Sequence, residues 1–287
     1  MNIVVAMDGS RFGRWGLNWV ARLPLVKTPT VTALHVLDIG ALRAPFITQS
    51  AVVGSERFIQ QEIKRMEQRA AETLASARRQ MTALQLNGKT KKERGTIASV
   101  ILRQVPKKDG LLVVGSHGRN ALDRFMLGSV STNILHHASC PLLITKADAE
   151  PLRRIVLAVD GSVSSKKALN FLLKEFRRAT SGPRAVRTPV HITVVHAMPF
   201  LNYPELKNAG SRLVEQYSQK LAESGFSSEG VCRLGHPADQ IIEAASKDKA
   251  SLIVMGAKGL GAVARFFLGS VSTRVVQRAT QTVLVVR

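Results

Sequence analysis

The chain has 287 residues, a length that favours two domains over one, and its 45% apolar and 21% charged residues exclude an intrinsically disordered polymer. Lys and Arg number 41 against 20 Asp and Glu, a net charge of +21 divided as +10 over residues 1–150 and +11 over residues 151–287, so the charge is not a tail. No apolar run reaches the roughly 20 residues of a membrane-spanning helix, and two cysteines, Cys140 and Cys232, are too few for a disulfide framework or a four-cysteine zinc site.

The start, NIVVAMDGS, lacks a secretory pattern, and a cytoplasmic protein is expected. In chain order, residues 2–8 form a short apolar run with the spacing of a strand, 11–22 have the spacing of a helix, and 30–37 (TVTALHVL) read as a second buried strand, together a βαβ unit. Helical spacing with mixed charges covers 55–86, followed by a weak polar strand over 89–94, a short helix over 96–105 and a buried strand over 110–115 (GLLVVG). A last helix over about 129–138 ends before Pro141, which opens the strand PLLIT.

The pattern then repeats. VVAMDGS at residues 4–10 recurs as VLAVDGS at 156–162, and RFMLGSVST at 124–132 recurs as RFFLGSVST at 265–273, so the chain is two copies of one domain. A join near residues 147–152, where Pro151 disfavours helix before it, separates domains over 1–147 and 151–287. The motif offsets of 152 and 141 positions give the first copy a net 11 extra residues, expected between Ile39 and Asn87. Strands are expected in the second copy near 153–159, 190–197, 229–234, 251–256 and 282–286. Strands alternating with helices predict a parallel sheet covered on both faces, with ligand bound beyond the carboxyl ends of the strands.

At those ends stand Asp8 and Asp160, and a glycine constellation follows each fourth strand: Gly115, Gly118, Gly128 and Ser129 in the first copy, Gly256, Gly259, Gly269 and Ser270 at identical spacing in the second. Glycine allows positive φ and close backbone approach, so successive amides can converge on phosphate oxygens, and an open helix N-terminus favours negative charge. Ser129 and Ser270 either cap that helix or donate a hydroxyl to phosphate. Asp8 and Asp160 either contact nucleotide or magnesium or cap the turn of D-G-S. His117 in the loop, matched by Lys258, either approaches phosphate or faces solvent, and Arg124 and Arg265 either screen phosphate or cover apolar surface.

Other chemistries are poorly matched. The string G-x-x-x-x-G-K-[ST] of a P-loop does not occur, and GLGAVA at 259–264 is not in a first βα turn and has no acidic residue after it. Neither a G-x-S-x-G elbow nor an H-E-x-x-H helix occurs, and the adjacent His136 and His137 diverge on a helix and suit a helix end better than a metal. No catalytic residue and no metal ligand is assigned. The paired basic residues at 78–79, 91–92, 107–108, 166–167 and 177–178 are dispersed, and 5% aromatic content is low for a base-stacking platform.

The V-x-D-G-S strand ends, His35–Val36, the spaced glycines with their Gly-Ser pair and the closing C-P-L-L-I and T-V-L-V-V strands resemble the nucleotide-binding branch of the universal stress protein family over essentially the whole chain. The resemblance implies an α/β fold of two tandem open five-stranded parallel sheets, order 3-2-1-4-5, with helices on both faces, packed as a pseudo-dimer, with a homodimer of chains left open. It implies that Asp8 and Val36 meet adenosine and that Gly115, Gly118, Gly128, Ser129 and Val130 meet ribose and phosphates of ATP, or of ADP or AMP, with or without magnesium. In the second copy the matching positions are Asp160, Gly256, Gly259, Gly269, Ser270 and Val271, with Ala197 in the place of Val36. The first copy departs at residues 93–97 (ERGTI), where the second has a proline in LGHPADQI. The function expected is a nucleotide-dependent binding or signalling module with an unidentified protein partner. The alternatives are a slow ATPase or phosphotransferase using Asp8 or Asp160 with magnesium, and a basic protein docking on nucleic acid or anionic membrane.

Overall fold

The computed structural model describes residues 1–40, 55–106, 108–118, 127–176, 190–198, 204–259 and 268–287. The first half runs β1 (Asn2–Ala6), α1 (Arg11–Arg22), β2 (Thr30–Leu37), α2 (Ser55–Ala83), β3 (Gly88–Arg94), α3 (Ile97–Gln104), β4 (Gly110–Gly115), α4 (Ser129–His137) and β5 (Leu142–Thr145). The second runs β6 (Arg154–Ala158), α5 (Val163–Glu175), β7 (His191–Met198), α6 (Pro204–Glu223), β8 (Ser227–Leu234), α7 (Pro237–Lys247), β9 (Leu252–Gly256), α8 (Ser270–Arg278) and β10 (Thr282–Val286). The basic residues Lys107, Arg124, Arg177, Arg178 and Arg265, and most of GLGAVA, lie outside the described residues.

Each half is a parallel sheet, β3-β2-β1-β4-β5 and β8-β7-β6-β9-β10, which is the 3-2-1-4-5 order. The two-residue period of the strands divides the core into two layers. Ile3, Val5, Leu111 and Val113 face α1 and α2, whereas Val4, Leu112 and Val114 face α3 and α4, and the second half repeats this with Ile155 and Leu157 against Val156 and Ala158. All of these residues are buried, which is why the strands read as continuous apolar runs.

The two sheets are one. Strands β5 and β10 pair antiparallel, with Leu142 opposite Val285, Leu143 opposite Leu284 and Ile144 opposite Val283, giving a ten-stranded sheet whose two core layers continue across the seam. The residue after each seam strand is a cation that crosses to the other half. Lys146 Nζ donates to Gln277 O at 3.1 Å near the end of α8, and the Arg287 guanidinium donates to Leu135 O near the end of α4. Both cations therefore meet the negative ends of helix dipoles. Val26 N also donates to Glu175 O at 2.8 Å, a further contact between the halves.

The net difference of 11 residues conceals opposing changes. The path from β2 to β3 is longer in the first half, where α2 has 29 residues and α6 has 20, while the path from β1 to β2 is shorter than that from β6 to β7. The missing proline of the first half has little effect on the backbone. Gly95 (φ +134°) and Gly235 (φ +137°) make the same turn before α3 and α7, and Pro237 occupies the first helical position, where an absent N–H costs nothing.

Burial pushes Lys146 down to about 8. Because an exposed lysine titrates near 10.4, the unfolded chain holds this proton over a range in which the folded chain releases it, so this residue makes stability rise with pH from about 8 upward. The urea midpoint of the protein should therefore climb more steeply between about pH 7.5 and 9.5 than that of Lys146→Met. Equal pH slopes for the two proteins would contradict this.

Candidate functional site

The chain leaves β1 and β6 through the same turn. Asp8 Oδ1 accepts from Ser10 N at 2.9 Å and Asp160 Oδ1 from Ser162 N at 3.0 Å, with Gly9 (φ +83°) and Gly161 (φ +79°) in the left-handed region between them. Ser10 and Ser162 then cap α1 and α5 by accepting from Gly13 N and Ser165 N. One oxygen of each aspartate thus shapes the turn. The other, Oδ2, faces the glycine loop: a methyl group on Gly118 would stand 3.3 Å from Asp8 Oδ2, and one on Gly259 would stand 2.7 Å from Asp160 Oδ2.

The six loop glycines are not selected for positive φ, since none of them adopts it. Gly115 and Gly256 have a packing reason. A methyl group on Gly115 would come within 2.6 Å of Phe12 Cβ, and one on Gly256 within 2.5 Å of the Ser164 carbonyl carbon, because the first turns of α1 and α5 cross the ends of β4 and β9 there. Gly128 and Gly269 are the N-caps of α4 and α8, and their amides donate to Ser116 O and Ala257 O at 2.9 and 2.8 Å. Those two amides are engaged within the loop and do not face a ligand. The open donors are the amides of Ser129, Val130 and Ser131, which precede the first intrahelical bond, Thr132 N to Gly128 O.

Ser129 and Ser270 are exposed first residues of their helices, so they are not the caps. The serines two positions later do the structural work that the sequence reading did not assign. Ser131 Oγ donates to Gly115 O at 2.6 Å and Ser272 Oγ to Ala257 O at 2.8 Å, tying each helix start to the end of its strand. Their signal was the second serine of G-S-V-S-T, present in both copies. His35 and His196 were a similar duplicated signal. Their Nδ1 atoms lie 2.6 Å from Met7 O and 2.8 Å from Val159 O, and because a carbonyl only accepts, Nδ1 carries the proton.

In the first half these elements enclose a cleft of about 390 Å³. It brings together Asp8, Val36, Gly115, Gly118, Gly128, Ser129 and Val130, with an apolar floor of Ile97, Ile101, Val114 and Ile134. His117 also lines it. It is buried, bonded to Ser116 Oγ at 2.9 Å and packed on the Phe12 ring, so it is not a solvent-facing loop side chain. In the second half Asp160, Gly256, Gly259 and Gly269 converge in the same way, Ser270 and Val271 open α8, and the half-buried Ala197 lies beside Arg233 in β7–β8. Among the described residues no three His, Cys, Asp or Glu side chains gather as a metal cluster.

The basic pairs within reach are dispersed and partly neutralised. Lys91 pairs with Glu93, while Lys92 and Arg94 share Glu67 at the β3 edge. Arg94 beside Glu67 holds that carboxyl below its ordinary value. No helix among the described residues is long and apolar enough to cross a membrane.

The sequence model of the universal stress protein family matches the chain twice, over residues 1–146 and 151–287. The chain belongs to the universal stress protein family. It is a tandem member: a universal stress protein of Mycolicibacterium smegmatis is 28% identical over 99% of this chain and 96% of its own length. A universal stress protein of Thermus aquaticus is 38% identical over 47% of this chain and 98% of its own, the proportion expected of one domain. The crystal structure of a universal stress protein from Archaeoglobus fulgidus superposes over 100% of this chain and 98% of its own with a TM-score of 0.71 at 21% identity, a likeness of fold.

The geometry separates two kinds of glycine. Gly115→Val should destabilise the protein by about 1–3 kcal/mol through overpacking against α1, whereas Gly128→Ala, whose added methyl group meets nothing among the described residues nearer than 3.7 Å, should cost about 1 kcal/mol or less. Denaturant titrations of the two variants check this, and equal losses would refute it.

Proposed function

We propose that the protein binds an adenine nucleotide, ATP or its ADP and AMP relatives, in the first-half cleft and in the corresponding place of the second half, and that it acts through that binding. The observation that carries the reading is the meeting of an apolar floor with an open helix N-terminus in one cleft. Val36, Ile97, Ile101 and Ile134 provide a surface on which a purine loses water-exposed area. At the mouth, the amides of Ser129, Val130 and Ser131 and the dipole of α4 favour phosphate, and Gly118 leaves its backbone uncovered. Asp8 Oδ2, which faces Gly118, suits ribose hydroxyls as an acceptor.

Magnesium, when it accompanies the phosphates, would be held chiefly by them and by water, since Asp8 already commits Oδ1 to the turn. Among the described residues the titratable groups lining the cleft are Asp8, His35 and His117, and the last two are each bonded to a neighbouring group through Nδ1. That arrangement suits holding a nucleotide more than cleaving one. The excess of positive charge in both halves raises the encounter rate with such an anion.

Protein purified without added nucleotide, then denatured, should release adenine nucleotide identifiable by mass spectrometry, approaching two per chain when both halves are loaded. In the double variant Gly118→Val, Gly259→Val, ATP affinity measured by titration calorimetry should fall at least about tenfold, a loss of about 1.4 kcal/mol, with the fold retained by circular dichroism. Undiminished stoichiometric binding in that variant would reject the reading.

A further inference from the structure

Beneath α6 the second half gathers three soft donor groups that nucleotide binding does not use. Strand pairing sets His196 of β7 directly beside Cys232 of β8, and Met198, two residues along β7, projects from the same face. Gly210 of α6 packs over them. A methyl group on Gly210 would meet Cys232 Sγ at 2.8 Å, Met198 Sδ at 2.9 Å and His196 Cδ2 at 3.0 Å, so the thiol, the thioether and the imidazole surround one point. His196 Nδ1 is occupied by Val159 O, which leaves Nε2, the neighbour of Cδ2, as its ligand atom. A carbonyl behind the distal nitrogen is the support that metal-bound histidines commonly have.

We propose that Cys232, Met198 and His196 form a binding site for a soft monovalent cation, Cu(I), closed from above by Gly210. Thiolate and thioether ligands select Cu(I), and imidazole serves it as well. On binding, the metal displaces the thiol proton, which passes to solvent, and the single positive charge of the ion is balanced by the thiolate formed. The point that the three groups surround lies one covalent bond from Gly210 Cα, so the ion would sit on its strand side, between the two sulfurs and Nε2 of the His196 ring, at bond lengths like the roughly 2.3 and 2.0 Å of metal–sulfur and metal–nitrogen bonds at zinc. Cys232 and His196 are half-buried, which gives the ion a way in.

The first half supplies an internal control. His35 holds the place of His196, but its neighbour on β3 is Lys92 and the residue two along is Leu37, so no sulfur stands there. The protein's other thiol, Cys140, is buried near the seam.

The full chain, titrated anaerobically with Cu(I) as its acetonitrile complex against a chromogenic Cu(I) chelator, should bind one ion. Cys140→Ser should bind it as the wild type does, Cys232→Ser should lose it, and Met198→Leu should weaken it about tenfold or more. Gly210→Ala, which presses a methyl group against all three side chains, should also lose the ion. Should that variant fail to fold, as judged by circular dichroism without metal, Met198→Leu decides the matter. Copper X-ray absorption should report two sulfur neighbours and one nitrogen. Unchanged affinity in Cys232→Ser or in Met198→Leu, or loss of binding in Cys140→Ser, would overturn the proposal.

Discussion

The parallel pairing of β1 with β4, in register from Asn2 opposite Gly110 to Val5 opposite Val113, is the contact on which the first-half cleft depends. It brings the turn at Asp8 and the turn after Gly115 to the same edge of the sheet. Helix α1, leaving that edge at once, crosses so closely that Gly115 must lack a side chain, and Ser131 then fastens α4 to the Gly115 carbonyl. The apolar floor, the uncovered backbone and the open helix end are consequences of that one alignment. The pairing of β6 with β9 reproduces it around Asp160, Gly256 and Ser272.

Joining the halves through β5 and β10 solves a separate problem. A sheet edge made of Leu142, Leu143 and Ile144 would expose both apolar side chains and unpaired backbone groups, and the antiparallel partner covers both at once. Reciprocal donation by Lys146 and Arg287 adds charge compensation at the ends of α8 and α4, although burial of the ammonium opposes its own charge. The outer edges are managed differently. Strand β3 presents Lys89, Lys91, Lys92 and Arg94, charges that discourage further pairing.

Much of this was legible in the residues. The duplicated D-G-S turns, the glycine spacing and the buried runs of β4 and β9 located the strands and helices to within about three residues, because each depends on local chemistry: turn geometry, capping and two-residue alternation. The convergence of Asp8 with Gly118 was suggested by their repetition rather than by their spacing alone. The reasons for the glycines were not legible. Gly115 and Gly128 look alike in the sequence, yet one avoids a clash with Phe12 and the other caps a helix, a distinction that exists only once α1 lies across β4.

By itself the sequence determined a tandem α/β repeat with matched loops at the strand ends, since periodicity and duplicated turn residues act over a few positions of chain. The tertiary structure alone decided which amides stay open, that His117 is buried against Phe12, that β5 and β10 fuse two sheets into one, and that Cys232, Met198 and His196 meet under Gly210. These contacts join residues dozens to more than a hundred positions apart, or depend on where packing turns a side chain, and no local rule of propensity or spacing specifies such a distance. They arise from how closely whole helices and strands can approach once their apolar faces are buried together.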